Sequence, residues 1–245
     1  MNQIILESPV FSVDAALKAA EFGVDRLELC SSFPEGGETP GAGMLSYLKS
    51  RVIIPIFVMI RPRGGDFVYS ESEISAMERE IEILDEYGAD GFVFGILKED
   101  GSVNEQQCFR LVKKAGSKPC TFHRAVDESR DPVEAVEPII NCGFKRILTS
   151  GGKENVEKGL PVILQMLEKA GSDIIIMPGG GMKPELVKPL KESSPNLKEV
   201  HASCKIWEEI QMESTESTQS KQRLKRLTIS PEIVKEFKKT FKNTF

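Results

Sequence analysis

Pro55-Ile-Phe-Val-Met-Ile-Arg-Pro-Arg-Gly-Gly-Asp-Phe67 runs an apolar segment straight into a polar loop, and the rest of the chain repeats that junction. Residues 55–60 are apolar with Val58 β-branched, the pattern of a strand covered on both faces. Arg61 and Arg63 then bracket a proline, Gly64-Gly65 follow, and Asp66 closes a segment that continues neither as strand nor as helix. Two guanidiniums at the carboxyl end of a buried strand cost solvation energy unless something anionic pairs with them. The glycine pair lets backbone N–H groups turn inward, as around a carboxylate or phosphate. An internal salt-bridge knot is the alternative reading.

Apolar segments of this kind start near residues 4, 25, 55, 91, 119, 146, 173 and 199, a spacing of about 28 residues, which is one strand-helix unit. Helical stripes fill the gaps. Ser12 caps one with Val13, Ala16, Leu17 and Ala20 inward and Gly23 as its stop, and Ser70 with Glu73 forms a capping box ahead of Ile74, Met77, Ile81 and Leu84. Asp131-Pro132 is expected to open a later helix, which Pro138 should kink or end. Eight units predict a closed parallel (β/α)8 TIM barrel, a single domain over 1–245. A doubly wound open sheet is the runner-up, but no Gly-x-Gly-x-x-Gly turn follows the first strand. Residues 213–222 are rich in Ser, Thr, Glu, Gln and Lys and read as a mobile loop; 230–243 read as a C-terminal helix.

A net charge of -5 gives no general attraction to nucleic acid or anionic lipid. The N-terminus lacks a basic region and a long apolar run, and no stretch reaches the length of a membrane span. Five cysteines without paired spacing fit reduced thiols in the cytoplasm. A homo-oligomer stays open.

Polar residues collect where the predicted strands end: Glu7, Glu28, Arg61, His123, Arg124, Ser150 and His201. In a barrel these ends share one rim, so Glu28, His123, Glu7 and His201 are the candidate acid/base groups. Arg61, Arg63, Asp66, Arg124, Ser150 and the Gly179-Gly180-Gly181 turn are the candidate anion-binding set. No lysine ends a core strand, which disfavours a Schiff-base aldolase. Among metals, cuprous ion would suit Cys30 and Cys204 if one rim holds both, with His201 nearby. Cys108, Cys120 and Cys142 read as packing.

The blocks Asp25-Arg-Leu-Glu-Leu-Cys30, Glu35-Gly-Gly37, Ile60-Arg-Pro-Arg-Gly-Gly-Asp-Phe67, Thr121-Phe-His-Arg-Ala125, Arg146-Ile-Leu-Thr-Ser-Gly151 and Met177-Pro-Gly-Gly-Gly181 resemble the CutC family. The resemblance runs from about Glu7 to Ser203 and implies a cytoplasmic TIM barrel involved in copper homeostasis, with copper(I) as the ion and Cys30 the leading ligand. The chain departs from that family's pattern at Pro9, where cysteine is common, and at Val68, where some members carry cysteine. Three functions stand open: copper handling; an isomerase or lyase acting on a small phosphorylated or carboxylated metabolite, which the residue chemistry favours; and non-catalytic binding of a small anion.

Overall fold

The computed structural model describes residues 4–211 and 223–243; the loop expected at 213–222 falls outside them. Eight parallel strands form one sheet: β1 (Ile5–Val10), β2 (Arg26–Leu29), β3 (Ile56–Met59), β4 (Gly91–Phe94), β5 (Cys120–Phe122), β6 (Arg146–Thr149), β7 (Ile175–Pro178) and β8 (Glu199–His201). They run in sequence order around the ring with β8 against β1, and a parallel bridge from Gly179 to His201 closes the circle. Seven helices cross between them: α1 (Val13–Phe22), α2 (Ala42–Lys49), α3 (Glu71–Glu86), α4 (Glu105–Lys114), α5 (Val136–Asn141), α6 (Val156–Ala170) and α7 (Pro184–Ser193). This is the TIM barrel that the spacing predicts.

Local signals set the helix ends. Ser12 accepts a hydrogen bond from the Ala15 amide, and Gly23 takes the left-handed conformation that terminates α1. Ser70 and Glu73 form both bonds of the capping box on α3. Two expectations fail here. The Asp131-Pro132 segment forms turns, so α5 begins only at Val136, and Pro138 lies inside its first turn. A first-turn residue has no intrahelical acceptor for its N–H, so proline neither kinks nor ends this helix.

The stretch after β8 also differs from expectation. An antiparallel hairpin, β9 (Lys205–Gln211) and β10 (Arg223–Ile229), leaves the barrel before α8 (Pro231–Asn243) packs Val234, Phe237 and Phe241 inward. The C-terminal helix therefore sits where the sequence put it, and the hairpin is additional.

Alternation along the strands separates two interiors. Leu6, Leu27, Leu29, Ile56, Val58, Phe92, Phe94, Phe122, Ile147, Ile176 and Val200 join the helices in the main core. Cys30, Phe57, Met59 and Val93 form a separate cluster. The residues sharing parity with that second cluster are largely polar: Glu7, Arg26, Glu28, Arg146, Glu199 and His201 are all buried. Arg26 lies between two carboxylates, bonded to Glu7 through Nε and to Glu199 through Nη2. Arg146 donates to Glu199 at 3.1 Å, and both guanidiniums lie over the Phe57 ring, at 4.8 and 4.9 Å. A buried charge is tolerable only when paired and bonded in this way. Replacing Arg26 with methionine should strip one buried partner from each of Glu7 and Glu199 and lower stability by about 3–5 kcal/mol in urea unfolding; a loss below about 1 kcal/mol would show that the network is not holding the barrel.

Candidate functional site

A cavity of about 410 Å³ opens at the carboxyl ends of the strands, with Glu28, Arg61, His123, Arg124, His201 and Lys205 among its wall residues. Strand register explains its acidic side. Glu7 pairs across the sheet with both Arg26 and His201, while Glu28 lies one step higher, level with Pro9. The His201 Nδ1 is 2.9 Å from Glu7 Oε1, and its Nε2 is 3.8 Å from Glu28 Oε2. Arg26 grips the other Glu7 oxygen. Glu7 thus orients the His201 ring and leaves Nε2 turned toward Glu28.

The three groups of this ladder titrate differently because they are fed differently. Burial alone would raise the Glu7 carboxyl, but Arg26 and His201 together pull it down to about 2, so it stays ionised. Glu28 has no such cation bonded to it; burial, with Glu7 nearby, raises it to about 7. Its Oε1 is buried without a partner among the described residues. Burial opposes charge on His201, yet Glu28 and Glu7 outweigh it and hold the imidazolium above its ordinary range. Glu28 is therefore a carboxyl raised toward neutrality, with His201 beside it held toward its cation.

His123 is held in the opposite state. Its Nδ1 accepts the Ala125 amide at 3.2 Å, which places the ring proton of the neutral tautomer on Nε2. Burial and then Arg61 depress it to about 3, and Phe67 packs against the ring at 4.9 Å between centroids. Nε2 has no partner among the described residues although the ring lines the cavity. Gly95 makes this possible, since a Cβ there would lie 2.7 Å from His123 Nδ1. The result is a neutral donor lining the same cavity as Glu28 and His201.

The cationic candidates divide. Arg124 donates to Asp127 and to Ser150, and Gly180 packs so near that a Cβ would lie 3.2 Å from the Arg124 guanidinium carbon. Arg124, Gly180 and Gly181 line the cavity; Ser150 stands behind them, and Gly179 is pressed between Leu148 and His201. Arg61 also lines it, but its terminal nitrogens donate to the carbonyls of Glu35, Gly37 and Gly65, leaving only Nε unpartnered. Arg63 and Asp66 are not brought to the opening. They pair with each other at 3.2 Å, and Arg63 also bonds Glu73 at 2.6 Å, so this half of the loop fastens to the start of α3. Gly64 lies against the exposed Glu35 side chain, whose carboxylate a Cβ there would displace.

The cysteines do not form the expected pair. Cys30 clusters with Phe57, Met59 and Val93, and its thiol faces the Glu28 carboxylate at 3.7 Å. Burial and Glu28 push that thiol well above its ordinary range. Cys204 belongs to the main core, where burial raises it to about 12, and its carbonyl receives the Ser230 amide. Among the described residues, the one group of three ligand-type side chains within 4.8 Å of one another is Glu7, Glu28 and His201. That oxygen and nitrogen set does not suit cuprous ion, and both Glu7 oxygens are already bonded.

Sequence reasoning missed several groups. Arg26, Arg146 and Glu199 sit two residues before Glu28, Leu148 and His201, and period-2 reading of those strands would have placed them on the same inner face. Asp127, near the strand-five motif, receives the Ser150 and Gly152 amides and ties two rim loops together.

A family model described as the CutC family matches residues 4–206. The human copper homeostasis protein cutC homolog is 45% identical over 204 residues, 83% of this chain and 74% of that protein. The Drosophila melanogaster homolog of the same name is 41% identical over 206 residues, covering 83% and 78%. The CutC crystal structure from Streptococcus agalactiae superposes with a TM-score of 0.75 at 29% identity, covering 82% of this chain and 98% of that one. A phosphoribosylanthranilate isomerase from Pyrococcus furiosus shares the fold alone, at 14% identity and TM-score 0.55, covering 98% and 99%.

The raised Glu28 carboxyl makes a signed prediction. Its folded pKa near 7 lies above the 4.5 of the unfolded chain, so between those values the folded state binds more protons and stability falls as pH rises. Glu28→Gln escapes that loss. In urea unfolding, the variant's stability relative to wild type should rise between about pH 5 and about pH 8, by on the order of 1–3 kcal/mol. A difference independent of pH would contradict the assignment.

Proposed function

Because the chain belongs to the CutC family, whose curated animal members are named for copper homeostasis, we propose that what it contributes there is acid/base chemistry on a small anionic metabolite. The observation that supports this is a neutral His123, its Nε2 donor unpartnered among the described residues, lining the same cavity as Glu28 and His201. Proton abstraction next to a carbonyl needs both elements: a base poised near neutral pH and a donor for the developing oxyanion. A neutral imidazole suits the second task, because it can donate without first losing a proton to solvent.

In this reading Glu28 takes the substrate proton, and the His201 imidazolium beside it, held in orientation by Glu7 and, behind it, Arg26, stabilises the ionised carboxylate between turnovers. His123 Nε2–H bonds the substrate oxygen. Arg124 with the Gly180-Gly181 turn, helped by Lys205 at the rim, holds the phosphate or carboxylate. The chemistry is that of an isomerase or lyase. Copper(I) has no step in it, since Cys30 keeps its proton behind Glu28 and no second thiol joins it. All five cysteines are unpaired and buried, which accords with a reducing compartment, and the cytoplasm is the proposed location. Among the described residues, no helix is long and apolar enough to cross a membrane.

Wild-type protein in deuterated water should exchange the α-proton of a small phosphorylated or carboxylated carbonyl compound, and Glu28→Gln should slow that exchange by about 10²-fold or more. Equal rates in the two proteins would remove Glu28 as the base. Competition titrations with cuprous ion should give the same affinity for wild type and Cys30→Ser. Loss of tight binding in the variant would return Cys30 to a metal role.

A further inference from the structure

We infer that the β9–β10 hairpin builds a second compartment beside the barrel mouth, which takes a planar aromatic group joined to the anionic head held in the first. The inference rests on the anion-binding reading above and names the class of substrate that this chain accepts. A second cavity of about 530 Å³ lies between the start of α1, the Phe33-Pro34 turn and the hairpin. It shares Pro9, Phe11, Phe33, Ser203 and Lys205 with the barrel-mouth cavity, so the two are adjacent.

What lines the join is aromatic. Phe11 meets Phe33 edge to face at 5.2 Å between centroids, and Phe33 meets Trp207 in the same way at 5.8 Å. The three rings form a ladder from the barrel mouth to the hairpin. Trp207 is nevertheless 51% exposed, so its ring leaves a face open on which a second ring can stack. Lys205 stands at the boundary, its ammonium 4.7 Å from the Phe33 centroid.

Lys205 alone among the cations lines both cavities, where the anionic head and the ring would join. Lys205, Lys225 and Arg226 line the second cavity; its one acidic wall residue is Asp14, which pairs with Arg226 at 3.5 Å. Trp207, Lys225 and Arg226 all come after residue 206, where the family match ends. None of them touches the Glu28, His201 or His123 side chains in any hydrogen bond or ion pair described above. They extend the pocket without serving the proton transfer, as a specificity device would.

Trp207 is the sole tryptophan of the chain, so its fluorescence reports on this compartment alone. Phenyl phosphate, inorganic phosphate and phenol are the probes, titrated into the full chain by calorimetry and by emission. Phenyl phosphate should shift the Trp207 emission saturably and bind about tenfold or more tighter than inorganic phosphate. Trp207→Ala should reduce that advantage while leaving the affinity for inorganic phosphate unchanged. Equal affinities for phenyl phosphate and inorganic phosphate would overturn the second compartment and leave the anion site standing. Binding of neither would remove the anion site and this inference with it. An emission change that follows protein concentration without ligand, matched by dimers in sedimentation, would assign the groove to a second copy and overturn the inference.

Discussion

Arg26, buried between Glu7 and Glu199, is the interaction on which the rest of this structure depends. Its cost in solvation is offset only because two carboxylates and the face of Phe57 surround it, with Arg146 sharing Glu199 from the other side. An apolar layer of the same volume would serve stability as well or better. What the charged layer adds is a fixed, ionised Glu7 directly beneath His201. The barrel floor thereby determines which His201 nitrogen faces the cavity.

From that floor upward, the two histidines of the chain are driven to opposite states by their neighbours. His201 has carboxylates on both ring nitrogens and is held as a cation above its usual range. His123 has a backbone amide on one side, an arginine nearby and an aromatic ring beside it, and is held neutral. Two residues of one type, placed at the ends of β8 and β5, thus supply an acid/base group and a neutral donor within one opening.

Much of this is legible in the sequence. The barrel follows from spacing, because each strand-helix unit needs about the same length of chain and stops its helix with glycine or its equivalent. Glu28, His123 and His201 were visible as polar residues closing apolar strands. Arg63 and Asp66 misled because their partner, Glu73, lies on the first turn of the next helix, where it read only as a capping residue. Cys30 and Cys204 misled because rim position alone does not fix which way a side chain points; one faces the barrel interior and the other the main core. The hairpin was hidden in a charged stretch, where Glu208, Glu209, Lys225 and Arg226 mask the alternation of a two-stranded ribbon.

The proposed chemistry depends on the difference between two imidazoles, and the chain has only two. Nitrogen-15 spectra of the histidine side chains, recorded near the ordinary histidine pKa of about 6.5, read that difference without a substrate. One ring should appear as the imidazolium and the other as the neutral Nε2–H tautomer, assigned to His201 and His123 by substitution of each. Two rings titrating together near that value would contradict the whole arrangement of base, donor and buried floor.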